Sequence, residues 1–359
     1  MLPISLILCL FAAIPPAKLR FLLLAVALGT GPVAGADWVR AGVTTNAAVW
    51  GRTDGLQWAV PPAGFRGGEP RGLIRLGYPV LSNGGCDLIN FIAIEPVVAG
   101  RRGFSELERS RLDDRPGLRI WAGRGTAGAP TTTSLVAGTI RRLTHGAEQL
   151  EVPLHVERFA NGAHVRLRVR QRSDQPDELE FSVHAEPDSA RIESCILTAT
   201  MGNFARLRRL WLRDEVVAST ALYPDYRGVD FAPPTVFALG RLHRTPVGDV
   251  LVAATTDEED PATIFPFPGS EGWHYGGAKV TQYWCEPVAE ILPVLAAAVN
   301  ARHTYWQSQQ PIPGGIAFEN FELRAPFREG QRFIFGITRK TPEELGFKAS
   351  PAPENSRRR

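Results

Sequence analysis

The sequence predicts an all-β fold, a large antiparallel β-sandwich with one short helix. Short apolar runs recur along the chain, and several alternate apolar and polar residues with a period of two. The 35 glycines and 29 prolines suit many short strands that are joined by turns. A hydrophobic content of 44% over 359 residues can fill a large core, and no interior linker divides the chain. We therefore expect a single β domain over residues 37–345.

The first half of this domain is predicted to consist of meandering strands. The run from Leu88 to Val98 is strongly apolar, which is typical of a central strand. From His164 to Arg170 the residues alternate, so that valine and leucine face a core and arginine faces solvent. Further strands are predicted at residues 118–121, 134–140, 150–158, 179–184 and 192–199. Strands at this spacing indicate antiparallel meanders and not βαβ units.

Glu95 interrupts the apolar run from Leu88 to Val98 with a carboxylate. Burying a carboxylate is unfavourable unless it is paired or hydrogen-bonded. Glu95 therefore either lies near the solvated end of the strand, beside Pro96, or is held in a cleft.

The second half of the domain adds further strands and the predicted helix. Residues 236–239, 250–254 and 280–284 have the composition of strands, whereas residues 255–277 are irregular. The helix is predicted over Val288 to Asn300, where Pro293 either kinks it or marks its start.

A hairpin over residues 314–336 is the most informative stretch of the chain. In its first strand Ile316 and Phe318 have one parity, while Phe321 and Leu323 have the other. A one-residue bulge at Glu319-Asn320 would keep both apolar pairs in the core. These two polar residues either point into a cleft as a carboxylate and an amide, or lie on the solvent face of an edge strand.

The N-terminal residues have the features of an export signal. Lys18 and Arg20 precede an apolar run, and Ala34-Gly35-Ala36 provides a small-residue cleavage site. We expect residues 1–36 to be removed and the mature protein to be secreted or periplasmic, with no membrane span. A second apolar run upstream of the basic residues indicates either an unusually long signal or a translation start near Lys18.

Charge, cysteines and motifs exclude several classes of protein. Removing the signal lowers the formal net charge from +3 to +1, without the basic surplus of a nucleic-acid-binding protein. Cys86, Cys195 and Cys285 are then left, without a C-x-x-C pair or zinc-ligand spacing, so the fold cannot depend on a disulfide framework. No G-x-S-x-G, P-loop or dinucleotide motif occurs, and we expect no cofactor and no metal. Residues 346–359 are predicted to be a disordered tail.

An aromatic loop in the irregular segment suggests a carbohydrate ligand. Trp273, His274 and Tyr275 follow one another between glycines. Sugar sites combine an aromatic platform with planar polar groups, and loops on a rigid β scaffold often carry binding residues. The alternative is a loop that packs its own aromatic residues against a sheet.

Two other clusters have the residue types of a site that handles acidic sugars. Tyr226 stands beside a carboxylate and a guanidinium, a set that suits proton abstraction next to a cation. Arg206, close to Asn203, can grip a uronate carboxylate. The alternatives are a structural tyrosine and a surface arginine. The acidic run from Asp257 to Asp260 is interpreted as a turn and not as a calcium site.

The hairpin with its Glu-Asn-Phe-Glu-Leu core, the meandering strands and the late aromatic loop resemble the β-supersandwich proteins. That group includes galactose mutarotase-like epimerases and the C-terminal modules of several polysaccharide lyases, and the resemblance covers mainly the last third of the chain. For a mutarotase it implies Glu319 as the base and His274 as the acid. For a lyase it implies Tyr226 or His274 as the base, with Asn203 and Arg206 neutralising a uronate.

We therefore expect a secreted enzyme that acts on a glycan or sugar by elimination, hydrolysis or epimerisation. Hydrolysis would use Glu319 and Glu95 as its carboxylate pair, and Trp273, Tyr275 and Asn320 would contribute to binding the carbohydrate. The first alternative is a non-catalytic carbohydrate-binding or cell-envelope structural protein. A third possibility is a partner-binding domain, which would present a flat apolar patch in place of a cleft.

Overall fold

The computed structural model describes residues 38–61, 70–79, 87–112, 114, 116–123, 135–200, 205–258, 279–305 and 308–348. These residues form the strands β1 (Trp38–Val39), β2 (Val49–Arg52), β3 (Gln57–Ala59), β4 (Leu73–Tyr78), β5 (Asp87–Val98), β6 (Arg101–Arg102), β7 (Ile120–Ala122), β8 (Thr139–Arg142), β9 (Glu148–Val156), β10 (Val165–Arg172), β11 (Gln175–Ala185), β12 (Ser194–Thr200), β13 (Leu207–Trp211), β14 (Val216–Ala218), β15 (Thr235–Ala238), β16 (His243–Arg244), β17 (Val250–Thr256), β18 (Thr281–Glu286), β19 (Ala296–Arg302), β20 (Ala317–Arg324) and β21 (Gln331–Thr338). Their one α-helix is α1 (Ser219–Leu222), and 3-10 turns occupy Leu239–Arg241 and Val288–Glu290.

The strands form two antiparallel sheets. The first sheet has the order β1-β2-β3-β4-β5-β12-β20-β19-β15, with β6 also paired to β5. The second has the order β14-β13-β17-β18-β21-β11-β10-β9-β7, with β16 on β17 and β8 on β9. The predicted all-β sandwich is confirmed, and its described part contains one short helix, α1, which lies at a different place from the predicted one. Within the described residues, no helix is long and apolar enough to cross a membrane.

One apolar core lies between the facing sides of the two sheets. Large buried side chains from both sheets meet in it: Trp50, Trp58, Phe318, Phe321, Trp284, Phe333 and Phe335. On β10, Val165, Leu167 and Val169 are buried, and the arginines between them are partly exposed, so the predicted alternation is confirmed. The period-2 patterns therefore identify the inner faces correctly.

The predicted helix over Val288 to Asn300 is wrong. Only a 3-10 turn forms at its start, and its second half is strand β19. Ala297, Val299 and Ala301 alternate into the core, and β19 pairs with β15 on one side and β20 on the other. Tertiary pairing on both edges overrides the helix propensity of the alanines, and Pro293 prevents a continuous helix.

The bulge in β20 is confirmed. Phe321 pairs with Val299 and Phe318 pairs with Ala301, so that Glu319 and Asn320 together oppose the single residue Asn300. Strand β20 lies between β12 and β19, and so the alternative of an edge strand is wrong. Both apolar pairs of the strand remain in the core.

A smaller apolar cluster covers part of the other side of the second sheet. Trp211, Leu251, Tyr283 and Cys285 meet there, and Phe347 packs against them from the C-terminal segment. The packed chain therefore extends beyond the predicted boundary at residue 345, while residues from 349 onward lie outside the described residues.

Gly336 is required by the close approach of Tyr283. The two residues are paired across β18 and β21, and a methyl group on Gly336 would overlap the Tyr283 ring. That ring is buried, and its hydroxyl donates a hydrogen bond to Glu178 Oε1 at 2.7 Å. The ring therefore cannot move aside without losing this bond.

We predict that Gly336→Ala lowers the free energy of unfolding by about 1–3 kcal/mol, the usual effect of overpacking. Urea denaturation measures the change. Gly240→Ala is the control, because a methyl group there meets no atom within 4 Å. Equal stability of the two variants would show that Tyr283 can rearrange freely.

Candidate functional site

The bulge directs polar side chains to the outer face, defined as the side of the first sheet that is turned away from the shared core. Phe318 and Phe321 point inward, so Glu319 and Asn320 between them both point outward. Glu319 is only 2% exposed, and Asn320 is half-buried. The backbone N–H of Asn320 donates to Asn300 Oδ1 at 2.9 Å, which holds the bulge. A buried carboxylate and two amide side chains thus lie together on a rigid central strand pair.

A buried ion network lies further along the same face. Arg102 Nη2 contacts the carboxylates of both Glu95 and Glu322, the latter at 2.9 Å. Arg324 Nε donates to the other oxygen of Glu322 at 2.6 Å. Glu95 and Glu322 are 6% and 2% exposed. One guanidinium therefore bridges two buried carboxyl groups, which we call the Glu95–Arg102–Glu322 triad.

Burial raises the pKa of Glu95 to about 8, with the Arg102 charge opposing the rise and Glu322 adding to it. Glu95 therefore carries a proton at neutral pH. Because its folded-state pKa lies above the ordinary value of 4.5, its contribution to stability is complete in acid and is lost as the pH rises through about 8.

A third carboxyl group, Glu106, lies near two arginines of the same sheet. Burial raises the pKa of Glu106 to about 7, and the charges of Arg75 and Arg302 oppose the rise. Arg75 donates to the carbonyl of Pro70 at 2.7 Å, and Arg302 donates to that of Val229 at 3.0 Å. Glu106 therefore titrates near neutral pH beside two guanidinium groups.

Arg206 belongs to a separate ion network beside the start of β20. Its Nη2 lies 2.7 Å from Glu258 Oε2, and its backbone has the left-handed φ of 51°, which is strained for arginine. Arg208 contacts Asp257 at 2.9 Å and Glu258 at 3.1 Å. Tyr305 packs against Ala317; burial raises the pKa of Tyr305, and the charge of Arg206 opposes the rise. The guanidinium of Arg206 is thus already paired with a carboxylate.

Tyr226 is half-buried in the loop before β15. Burial and the nearby Asp230 raise its pKa, and the charge of Arg302 opposes them. A tyrosine that acts as a base needs the opposite shift, so this environment does not favour the predicted role.

The structure does not bring Glu95 and Glu319 together as a carboxylate pair. They lie on β5 and β20, with β12 between them, and the strand pairing sets Glu95 level with Ile196 and Thr198 level with Glu322. The two residues are therefore about 10 Å apart across the strands and about 13 Å apart along them. Glycosidase carboxylates are about 5–10 Å apart, so this separation is too large for such a pair. Glu95 instead shares Arg102 with Glu322.

Four predicted site residues lie outside the described residues: Asn203, Trp273, His274 and Tyr275. The described residue at the start of the aromatic segment has defined contacts. Glu258, which precedes the aromatic segment, contacts both Arg206 and Arg208. Within the described part of the chain, no group of three His, Cys, Asp or Glu side chains is arranged to hold a metal ion.

Sequence reasoning missed Arg75, Arg102, Glu106, Arg302 and Glu322. A signal for Glu322 was present, because Phe321 and Leu323 face inward and so place the residue between them on the outer face with Asn320. The arginines had no comparable signal, since their partners are far away in the sequence.

Comparisons with known proteins add little to this geometry. No protein-family model matches the chain, and no curated protein matches it. One solved structure, described as "Crystal Structure Analysis of HI1317", is similar at 10% identity with a TM-score of 0.26. That match covers 84% of this chain and 98% of the other.

We predict that Arg102→Met lowers the free energy of unfolding by about 1–3 kcal/mol at neutral pH, because Glu322 keeps Arg324 but loses its second guanidinium partner, and Glu95 loses its contact with Arg102. The loss should shrink at acid pH, where protonation removes the unpaired charge. Denaturant unfolding across a pH series measures both effects.

Arg101→Met, on the exposed neighbour in β6, is the matched control. A loss that does not change with pH would indicate lost packing and would contradict an electrostatic role for Arg102.

Proposed function

We propose that the protein acts on carbohydrate at the outer face of the first sheet, with Glu319 exchanging a proton with a sugar hydroxyl. The observation that carries the proposal is the bulge, which places a buried carboxylate beside the side chains of Asn300 and Asn320. Carboxylates and amides are the planar polar groups that orient sugar hydroxyls. A base on a central strand is also held rigidly, which favours proton transfer.

Among the three expected reactions, epimerisation by proton transfer has the most support. Elimination would need a base with a lowered pKa and an available arginine, but the pKa of Tyr226 is raised and Arg206 is paired with Glu258. Hydrolysis would need a second carboxylate near Glu319, and Glu95 lies too far along the sheet. Anomer exchange requires neither feature: Glu319 takes the proton of the anomeric hydroxyl, the C1–O5 bond breaks as the carbonyl forms, and an acid protonates the ring oxygen; the reverse steps close the ring on the other face of the carbonyl. His274 is the acid that the resemblance to mutarotases suggests.

Glu319→Gln tests the proposal. We expect the variant to lose about 10²–10⁴-fold in rate, the usual contribution of a general base, while the fold and ligand binding persist. Anomer exchange of free aldoses, followed by NMR or polarimetry, is the main measurement. Glu343→Gln, on an exposed turn, is the control for loss of one negative charge.

Parallel assays on acidic and neutral polysaccharides separate the other reactions. Release of reducing ends alone would indicate a hydrolase, and unsaturated uronate products would indicate a lyase; either result would contradict the proposed proton exchange. Binding of a carbohydrate without any turnover would support a non-catalytic carbohydrate-binding or cell-envelope protein.

A further inference from the structure

Two polar side chains are enclosed at one end of a core that is otherwise apolar. Glu286 is the last residue of β18, and Gln331 is the first residue of β21. They have the parity of Trp284 and Phe333, which face the core, and they are 0% and 1% exposed. Both side chains therefore lie between the sheets.

Neither side chain has a hydrogen-bond partner among the residues that the structure describes. Both carboxyl oxygens of Glu286 and both amide atoms of Gln331 are buried and unpaired. The pairing of Cys285 with Ile334 places Gln331 diagonally across from Glu286, at a typical distance of about 7–8 Å. An ionised carboxylate in such a place would be strongly destabilising, whereas a neutral one is tolerable.

The positive charges that act on Glu286, those of Arg328 and Arg332, already pair with another carboxylate. Glu290, in the 3-10 turn that follows β18, accepts from Arg328 Nη2 at 3.1 Å and lies 2.9 Å from Arg332 Nη2. Arg328 Nε is buried and has no hydrogen-bond partner among the described groups. On the neighbouring strand β17, the residue opposite Glu286 is the apolar Val250. Arg328 and Arg332 thus tie the turn to the sheet through Glu290 and leave Glu286 alone.

Burial raises the pKa of Glu286 to about 8; the charge of Glu290 adds to the rise, and Arg328 and Arg332 oppose it. Glu286 is therefore protonated at neutral pH in the folded protein. If this end of the core opened, the carboxyl would regain its ordinary pKa of 4.5 and lose the proton.

We propose that Glu286 is a proton-controlled latch for the segment from Pro287 to Leu295. Protonated, Glu286 stays in the core and leaves Arg328 and Arg332 to hold Glu290. Ionised, it becomes an uncompensated charge inside the core and draws water in, which releases the segment. The latch concerns the fold and is independent of the carbohydrate site.

Hydrogen exchange of the full protein tests the latch. After correction for the intrinsic rate, protection of residues 287–295 should fall about tenfold per pH unit between 4.5 and about 8, because opening releases one proton. Above about 8 the fall should level off, since Glu286 is then ionised in the closed state as well.

Glu286→Gln keeps the shape and removes the charge, so its protection in this segment should not depend on pH. Glu343→Gln is the control and should behave like the wild type. Two results would each overturn the latch: a flat wild-type profile in residues 287–295, or an unchanged slope there in Glu286→Gln.

Discussion

The bulge opposite Asn300 is the constraint on which the rest of the first sheet depends. In a strand, a shift of one residue exchanges every side chain between the two faces. Without the extra residue, either Ile316 and Phe318 or Phe321 and Leu323 would leave the core. The bulge keeps both pairs inside, and the same backbone step brings Glu319 and Asn320 out on one face. Core packing and the candidate site are thus two consequences of a single irregularity.

The protein accommodates its buried carboxyl groups in two distinct ways. Glu322 is held between the guanidinium groups of Arg102 and Arg324, and so its charge is compensated. Glu286 has no hydrogen-bond partner within the described part of the chain, and burial raises its pKa to about 8, so that it is neutral at pH 7. Glu95 combines both solutions, since it contacts Arg102 and still has a raised pKa. Desolvation is the common cause, and the availability of a nearby arginine decides which solution each site adopts.

Local patterns in the sequence were enough to predict the sandwich, the alternation of β10 and the bulge, because each depends on residues that are close in the chain. The segment from Val288 to Asn300 was mispredicted because its conformation is set by two strands that lie beside it only in the folded state. The triad was missed for the same reason, as Arg102 and Glu322 are separated by 220 residues. The sequence could single out Glu319 as a candidate because it lies at the break in the apolar pattern.

Three arginines near the candidate site already have partners, which affects the kind of ligand that they can bind. Arg206 is paired with Glu258, Arg102 bridges two carboxyl groups, and Arg302 donates to the carbonyl of Val229. A uronate would have to displace one of these partners and leave it unsatisfied in a buried setting, which is unfavourable. A neutral sugar hydroxyl can donate to Glu319 without displacing the partners of these three arginines. For the proposed carbohydrate site, the pairing of these arginines therefore favours a neutral sugar over a uronate.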